Sequence, residues 1–248
     1  MKFPDHFSGV ASHYASFRPQ YPAALFDWLA SVCRRHEVAW DCACGSGQAS
    51  RPLASHFGLV VGTDASPAQV GEAEADTTTR FVVAASEHVP LADGSVDLVS
   101  VAQALHWFVG DTFYAEVRRV VRSGGVFAAW TYGMPQMVSR DVERVVHDFI
   151  NGPLEPFWPP EVRMVLDGYA TIELPFEELE PPSFEMQAEW PIAGFLGFVR
   201  SWSAVGRYLE DRGEDPVPRL ASELEQLRRD EEDLLPVSYR LALKVGRV

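Results

Sequence analysis

Short apolar runs alternate, over the first half of the chain, with segments whose apolar residues recur at helical spacing. The runs predict five β-strands, at 38–42, 59–64, 81–85, 96–101 and 126–130. The segments between them predict helices over about 46–57, from Ser66-Pro67, and from Asp111 as N-cap. Strands that alternate with helices typically form a parallel sheet covered on both faces. The pattern therefore predicts an α/β fold with a doubly wound, mostly parallel sheet.

Helical spacing also marks the residues on both sides of this alternating pattern. The apolar stripe before it contains Leu25, Trp28, Leu29, Val32 and Cys33, and the stripe after it contains Val142, Val145, Val146, Phe149 and Ile150. We expect Ser123-Gly124-Gly125 to end the helix that begins at Asp111, as a glycine stop. Near the C-terminus Tyr239, Leu241, Leu243 and Val245 alternate with other residues, which predicts an antiparallel strand.

Composition and charge narrow the classes of protein. Of the 248 residues, 47% are hydrophobic and 23% are charged, the balance of a soluble globular protein. The net charge of −14 and the absence of a basic patch argue against a nucleic-acid partner. No apolar run approaches the roughly 20 residues that span a bilayer, so no membrane partner is expected. Residues 1–6 contain no signal-peptide core, which favours a cytoplasmic location.

The cysteines do not suggest a metal or a disulfide. Cys33, Cys42 and Cys44 are the three thiols, and the last two lie too close in sequence for an easy disulfide. They also lack a second ligand pair for zinc. We therefore expect small buried thiols and no metal site.

A glycine turn and an acid follow the first two predicted strands. Asp41 ends the first strand and leads into a turn that contains Gly45 and Gly47, and Asp64 ends the second. A strand, glycine turn, helix, strand and acid in this order build a crevice at the carboxyl edge of a parallel sheet. Such a crevice binds a cofactor that contains adenosine.

The same turn discriminates between cofactors. A nicotinamide fingerprint needs a third glycine, and its frame from Gly45 reaches Ser50 instead. The Asp41 carboxylate would also repel a pyrophosphate at the helix N-terminus. S-adenosylmethionine carries a sulfonium and an ammonium and no phosphate, so the acid favours this cofactor.

These motifs resemble those of the class I S-adenosylmethionine-dependent methyltransferases. The pattern Asp41-x-Ala43-x-Gly45-x-Gly47 resembles their first motif, with alanine where a glycine often stands, and Asp64 resembles their ribose-binding acid. The segments 86–90 and 93–99 resemble their third- and fourth-strand signatures. Segments 14–22 and 102–108 resemble the methyltransferase type 11, trans-aconitate methyltransferase-like branch. Departures are Ala43, Ser123 and Val109-Gly110, the last of which could reshape the acceptor pocket.

The resemblance implies a Rossmann-like fold, S-adenosyl-L-methionine as cofactor, and a set of cofactor contacts. In it Asp64 holds the ribose, Glu87 faces the adenine edge and Arg18 meets the cofactor carboxylate. The cofactor-binding residues it implies are Tyr14, Arg18, Asp41, Ala43, Gly45, Gly47, Gln48, Asp64, Ala65, Gln69, Ser86, Glu87, Ala102 and Gln103. Asp41 could instead cap the following turn, and Asp64 could cap the helix at 66–74. Glu87 could be only solvated, and Arg18 could pair with a surface carboxylate.

We predict a single methyltransferase domain over residues 1–248. Its parts are an N-terminal helical cover (1–36), a cofactor-binding half (37–132), a cap-like helical insertion (133–168) and a C-terminal half (169–248). The cover and the cap are expected to close over the methyl acceptor.

The sequence says less about the methyl-acceptor site than about the cofactor site. His106 is the candidate catalytic residue, a base for an acceptor that must lose a proton, although a histidine beside Trp107 is often only packed. His106, Trp107, Trp130, Tyr132 and Trp158 are the candidate substrate contacts, although aromatic residues are more often core. The predicted reaction is in-line methyl transfer to an oxygen or nitrogen of a small molecule. A carboxylate acceptor would need no base, because it is ionised at neutral pH.

Two other functions remain open at this point. One is a non-catalytic methyltransferase-like domain that binds cofactor or a partner. The other is a nicotinamide-dependent oxidoreductase, which the missing glycine and Asp41 disfavour. An α/β-hydrolase is excluded because no G-x-S-x-G string occurs. The sequence predicts neither the identity of the acceptor nor the oligomeric state.

Overall fold

A computed structural model describes residues 19–227 and 234–248 of the chain. Over these residues the strands are β1 Val38–Cys42, β2 Leu59–Asp64, β3 Thr79–Val83, β4 Val96–Ala102, β5 Val121–Tyr132, β6 Gln136–Met137, β7 Glu177–Glu178, β8 Phe184–Pro191 and β9 Leu234–Arg247. Together they form one sheet. The predicted positions Tyr14 and Arg18 lie outside the described residues.

The first five strands are parallel and lie in the order β3-β2-β1-β4-β5. The strand β9 follows β5 in the antiparallel direction. This order and the antiparallel last strand confirm the predicted Rossmann-like α/β fold. The order reverses between β1 and β4, and ligands of such sheets bind outside the carboxyl ends of the strands at that point.

The long strand β9 is paired along both of its edges. Leu241 lies opposite Tyr132 of β5 on one side and opposite Phe184 of β8 on the other. The short strand β6 continues the β5 edge, and β7 continues the β8 edge. Because β9 is flanked on both sides, it joins the cofactor-binding half of the sheet to the residues that follow the cap.

Helices cover the sheet and fill the connections. They are α1 Ala23–Val32, α2 Ser50–Leu53, α3 Pro67–Gly71, α4 Asp111–Val120, α5 Arg140–Asn151, α6 Val162–Leu166, α7 Ile192–Arg200, α8 Ser203–Arg212 and α9 Val217–Leu227. Single 3-10 turns occur at Leu105–Trp107 and Glu155–Phe157. The segment 133–168 is thus mostly helical, as the predicted cap requires, whereas its role as a lid stays a prediction.

The two faces of the sheet form two separate hydrophobic cores. Along β5, Val126, Ala128 and Trp130 pack on the face that carries α1, α5 and α7. The alternate residues Phe127 and Ala129 pack on the opposite face, against α4. Such two-sided burial explains why the predicted strands are continuous apolar runs.

Four local predictions differ from the structure. The helix α4 ends at Val120, and Ser123-Gly124-Gly125 belong to β5, where they form an irregularity between the pairs Val121–Val96 and Val126–Leu98. Hydrogen bonds of Gly124 and Gly125 with Val248 hold this stretch in the sheet. Asp111 is the first helical residue and not the N-cap, which is Gly110. The third strand begins two residues early, at Thr79, because Asp76 accepts hydrogen bonds from the amides of Thr78 and Thr79 and ends the preceding turn there.

The fourth difference is the length of the helix predicted over about 46–57. The regular helix α2 spans only Ser50–Leu53. Gly47, with φ of +85°, keeps the preceding residues in turns. The residues after Leu53 close in i to i+3 turns, such as Ser55 to Pro52 at 3.2 Å.

Candidate active site

The turn after β1 is built from residues with left-handed backbone. Ala43, Gly45 and Gly47 have φ of +54°, +55° and +85°. Glycine adopts this conformation freely, whereas at Ala43 it costs about 1–2 kcal/mol. Hydrogen bonds from Cys44 to Thr63 (3.0 Å) and from Gly47 to Cys44 (2.9 Å) hold the turn against β2. The backbone of the turn therefore lies close to the crevice with little side chain in the way.

Asp41 is buried next to this turn and accepts hydrogen bonds from two serines. Its side chain is wholly buried, and its carboxylate accepts hydrogen bonds from the hydroxyls of Ser50 (2.6 Å) and Ser100 (2.8 Å). Burial raises the pKa of Asp41 to about 6, against the two serine hydrogen bonds, which lower it. Ser50 stands where a nicotinamide fingerprint has its third glycine, so this departure supplies a donor for the acid.

Asp64 connects the glycine turn to the start of α3. Its Oδ2 accepts from the amide of Gly45 at 2.9 Å and its Oδ1 accepts from the amide of Ser66 at 2.8 Å. Ser66 in turn caps α3 by accepting from the amide of Gln69. The carboxylate stays half-buried at the end of β2.

An aromatic ring from β3 fixes the position of the turn. A Cβ added at Gly47 would lie 2.8 Å from the Phe81 ring, and one added at Gly62 would lie 2.6 Å from it. Real Cβ atoms do not come so close, so the ring occupies the space that two glycines leave. Sequence reasoning assigned Phe81 only to a strand, since nothing local marks its contact with residues 47 and 62.

Two glutamines flank the turn. Gln48 donates from Nε2 to the carbonyl of Pro19 at 2.6 Å, which ties the start of the described chain to the crevice. Gln69 is buried, with its Oε1 3.5 Å from where a Cβ at Gly45 would lie. Both residues therefore lie near the turn, and their contact with the cofactor stays a prediction.

The end of β4 forms the other wall of the crevice. Gln103 has φ of +54°, the same left-handed backbone as Ala43 at the end of the neighbouring strand. Its amide group donates to the carbonyl of Tyr132 at 3.0 Å and accepts from the hydroxyl of Thr131. Two strained non-glycine residues thus stand side by side where the strand order reverses, a placement typical of functional sites.

The remaining predicted cofactor residues lie at strand ends. Ala65 and Ala102 are half-buried at the ends of β2 and β4. Ser86 follows β3 and donates its hydroxyl to the exposed carboxylate of Glu87 at 3.0 Å. Burial raises the pKa of the Cys42 thiol, and Asp41, Asp64 and Glu87 raise it further. Asp41, Asp64 and Glu87 therefore lie at the same edge of the sheet.

A cavity of about 160 Å³ lies beside the end of β4. The predicted substrate residues His106, Trp107, Tyr132 and Trp158 line it, together with Trp202 and Tyr239. Trp158 and Trp202 pack with ring centroids 5.9 Å apart, and Tyr132 and Tyr239 with centroids 5.1 Å apart. Gln103 lines the cavity as well, so this residue borders both the crevice and the cavity.

The structure does not bring Trp130 to this cavity. Trp130 is wholly buried on the α1 side of the sheet, where its ring packs edge-on against Tyr21 at 5.6 Å and Phe26 at 6.2 Å. Its neighbours on β5 alternate between faces, and residue 130 falls on the face of the main core. Its position fits the reading of Trp130 as a core residue.

His106 is held by a tyrosine from a distant segment. Its Nδ1 lies 3.0 Å from the hydroxyl of Tyr169, which has φ of +58° and no exposed surface. Burial lowers the pKa of His106 to about 4, so the imidazole is neutral at pH 7. Tyr169 lies 63 residues away in sequence, and no local signal predicts this contact.

The residues at the carboxyl edge fit S-adenosylmethionine. The open backbone at Gly45 and the half-buried Asp64 suit a ribose, and the carboxylates of Asp64 and Glu87 at this edge suit a cationic cofactor without phosphate. Fold and site together define an α/β protein for a positively charged nucleoside cofactor.

Comparisons with known proteins give the family. The family described as Methyltransferase domain matches residues 40–129. A Dictyostelium discoideum protein named as a methyltransferase is 31% identical over 226 residues, 90% of this chain and 86% of that protein. A Saccharomyces cerevisiae protein named as an S-adenosylmethionine-dependent methyltransferase is 27% identical over 241 residues, 83% of each.

A solved structure is also similar. It is from Anaeromyxobacter dehalogenans, is described as a type II methyltransferase, and shares 42% identity and a TM-score of 0.86 over 94% of this chain and 98% of that one. The chain belongs to the class I S-adenosylmethionine-dependent methyltransferases. Within the described ranges, no helix has the length and apolar character needed to cross a membrane.

Proposed function

We propose that this protein transfers the methyl group of S-adenosylmethionine to an oxygen or nitrogen atom of a small molecule bound in the cavity beside β4. One observation carries the proposal: Gln103 borders both the cofactor crevice and the cavity. A molecule in the cavity is thereby adjacent to the cofactor site. The cavity is small and several aromatic side chains line it, which suits a small ligand rather than a folded partner.

The bound cofactor supplies a methyl group that is already electrophilic, on a positively charged sulfur. The work of the protein is then to orient the acceptor and to exclude water, and orientation supplies on the order of 7–11 kcal/mol in favourable model reactions. Neutral His106 is able to accept a proton from an acceptor hydroxyl or amine. A carboxylate acceptor needs no such step.

We assign the cofactor contacts to the residues that meet at the carboxyl edge. Asp64 accepts from the ribose hydroxyls, Glu87 lies on the adenine side, and the turn of Ala43, Gly45 and Gly47 approaches the cofactor through its backbone. Asp41 acts through Ser50 and the turn, because its carboxylate has no exposed surface. The remaining assigned contacts are Gln48, Ala65, Gln69, Ser86, Ala102 and Gln103, and Tyr14 and Arg18 stay predictions.

Calorimetric titration tests the cofactor part of the proposal. We expect S-adenosylmethionine and S-adenosylhomocysteine to bind and NAD not to bind. The variant Asp64→Ala should bind S-adenosylhomocysteine about 10- to 100-fold more weakly, because a hydrogen bond to a charged group contributes about 1.5–3 kcal/mol.

The control Asp148→Ala removes the same charge from the exposed face of α5 and should leave the affinity unchanged. Equal affinities of a folded Asp64→Ala variant and the wild type would refute the ribose assignment. Transfer of a radiolabelled methyl group to small phenols, amines and acids then tests the acceptor part.

A further inference from the structure

We propose that the methyl acceptor is an uncharged, single-ring aromatic compound that carries a hydroxyl group, bound in the cavity with that hydroxyl at Tyr239 and His106. The inference rests on the proposed function and names the class of acceptor that the cavity would take. It follows from the charge, the size and the unused polar atoms of the cavity.

The cavity offers no charge to an ionic ligand. Among the described residues that line it there is no Asp, Glu, Lys or Arg. Arg140 and Arg144 line a neighbouring surface depression that shares Met134 and Pro135 with the cavity, but neither lines the cavity itself. A carboxylate or ammonium placed inside would lose hydration without gaining a counter-charge from these walls, which is costly.

Size and walls indicate one aromatic ring. The cavity has a volume of about 160 Å³. An engineered apolar cavity of about 150 Å³ in another protein accommodates benzene. The walls here include Trp107, Trp158, Phe198 and Trp202, which offer flat faces and edges to a ring.

A tyrosine that lines the cavity carries a buried hydroxyl without a partner among the described residues. Tyr239 is 1% exposed, and its hydroxyl has no hydrogen-bond partner among the described residues. Leaving a buried hydroxyl unpaired destabilises a protein, so a ligand that pairs with it is favoured. By contrast, the polar groups of Gln103 are already used, by Tyr132 and Thr131.

His106 provides the second polar atom. Its Nδ1 is engaged with the Tyr169 hydroxyl, and within the described chain its Nε2 has no hydrogen-bond partner. If Nδ1 donates to Tyr169, then Nε2 presents a lone pair to the acceptor hydroxyl. Tyr169 is thus a positioning residue that holds the imidazole ring through Nδ1.

The reaction then balances with these groups alone. The acceptor oxygen forms a bond to the methyl carbon, and the carbon–sulfur bond breaks with its electron pair going to sulfur, which becomes neutral. The hydroxyl proton passes to Nε2 of His106 and from there to water. No oxidant, metal or further reactant is consumed.

Binding of matched single-ring probes tests the proposal. The probes are 4-methylphenol, benzoate and benzylamine, titrated into the full chain saturated with S-adenosylhomocysteine and followed by tryptophan fluorescence. We expect 4-methylphenol to bind at least about 10-fold more tightly than either ion. Tighter binding of benzoate would identify a carboxylate acceptor, and tighter binding of benzylamine a cation in an aromatic cage, and either would overturn the proposal.

A pair of tyrosine variants tests the orphan hydroxyl. We expect Tyr239→Phe to weaken 4-methylphenol binding by about 5- to 20-fold and to leave toluene binding unchanged, since only a hydrogen bond is lost. Tyr114→Phe removes the other buried tyrosine hydroxyl without a partner, on the opposite face of the sheet, and should change neither. Equal binding of 4-methylphenol to Tyr239→Phe and the wild type would contradict the assignment.

A pair of lysine variants tests the role of charge. Leu166 lines the cavity and is 49% exposed, whereas Val138 is 81% exposed and does not line it. Leu166→Lys should shift the ratio of benzoate to 4-methylphenol affinity upward by about 10-fold, and Val138→Lys should not shift it. An unchanged ratio in Leu166→Lys would overturn the charge argument.

The outcomes separate this inference from the proposed function. If S-adenosylhomocysteine binds but the phenol is not preferred, the acceptor class is wrong and methyl transfer stands. If S-adenosylhomocysteine does not bind, the proposed function fails and the inference fails with it.

Discussion

Two buried titratable residues, Asp41 and His106, change the stability of the folded state in opposite directions as pH rises. Burial raises the pKa of Asp41 to about 6 and lowers the pKa of His106 to about 4. The raised carboxyl pKa makes the folded state lose stability as pH rises from about 4 to about 6. The lowered imidazole pKa makes it gain stability from about 4 to about 6.5. Each effect amounts to about 2–3 kcal/mol, so the two largely cancel.

Single substitutions should separate the two effects. Relative to the wild type, we expect Asp41→Asn to gain about 2–3 kcal/mol in its free energy of unfolding between pH 4 and pH 6.5. His106→Asn should lose a similar amount over the same range. Urea unfolding at several pH values measures both differences.

The double variant is the control for this pair, and its pH profile should again run parallel to that of the wild type. If the pH profiles of unfolding free energy of both single variants run parallel to that of the wild type, then neither residue has a shifted pKa in the folded state.

The sequence predicted the residues of the cofactor crevice better than it predicted the contacts around the cavity. Asp41, Gly45, Gly47 and Asp64 follow their strands directly, so their meeting at one edge is a consequence of local order. The contact of Tyr169 with His106 joins positions 63 residues apart, and only the folded chain reveals it. The unpaired hydroxyl of Tyr239 was equally hidden, because an alternating strand pattern says which face is buried but not what it lacks.

At the scale of elements, packing between β2, β3 and the glycine turn depends on the absence of a Cβ at Gly62. A Cβ there would lie 2.6 Å from the Phe81 ring and 3.0 Å from Cys44 Sγ. We expect Gly62→Ala to lower the free energy of unfolding by about 1–3 kcal/mol, as overpacking does. Chemical denaturation measures the loss.

A double-mutant cycle identifies the ring as the cause. Phe81→Leu should be destabilising alone, but Gly62→Ala with Phe81→Leu should lose less than the sum of the two, because the smaller side chain makes room. Strictly additive losses would show that the strain at residue 62 arises elsewhere, such as at Cys44.

The strands were predictable and several element ends were not, for one reason. Continuous apolar runs identified β1, β2 and β4, since strands buried on both faces leave that signature. The extent of β5 depends instead on its partners, because Val121 pairs with Val96 of β4, and Gly124 and Gly125 bond to Val248 before regular pairing resumes at Val126. These partners are distant in sequence, so no local pattern marks the start of the strand.

At the scale of the whole molecule, the two edges of the sheet have different roles. The carboxyl edge carries the turn, Asp64 and Gln103. At the amino edge, buried Asp97 accepts from the amides of Glu37 (2.7 Å) and Val38 (2.9 Å) and from Arg122 (2.7 Å). It thereby joins the starts of β1, β4 and β5.

This division predicts separable effects on stability and on binding. Asp97→Ala leaves the amides of Glu37 and Val38 without their acceptor and removes one of the two carboxylates that pair with Arg122, so we expect it to lower the free energy of unfolding by about 3 kcal/mol. Its affinity for S-adenosylhomocysteine, measured calorimetrically well below its melting temperature, should equal that of the wild type. Asp64→Ala should show the reverse, weak binding with a smaller loss of stability. Were Asp97→Ala to weaken cofactor binding as much as Asp64→Ala, the amino edge would be coupled to the site through β1 and β4, and the separation of roles would be wrong.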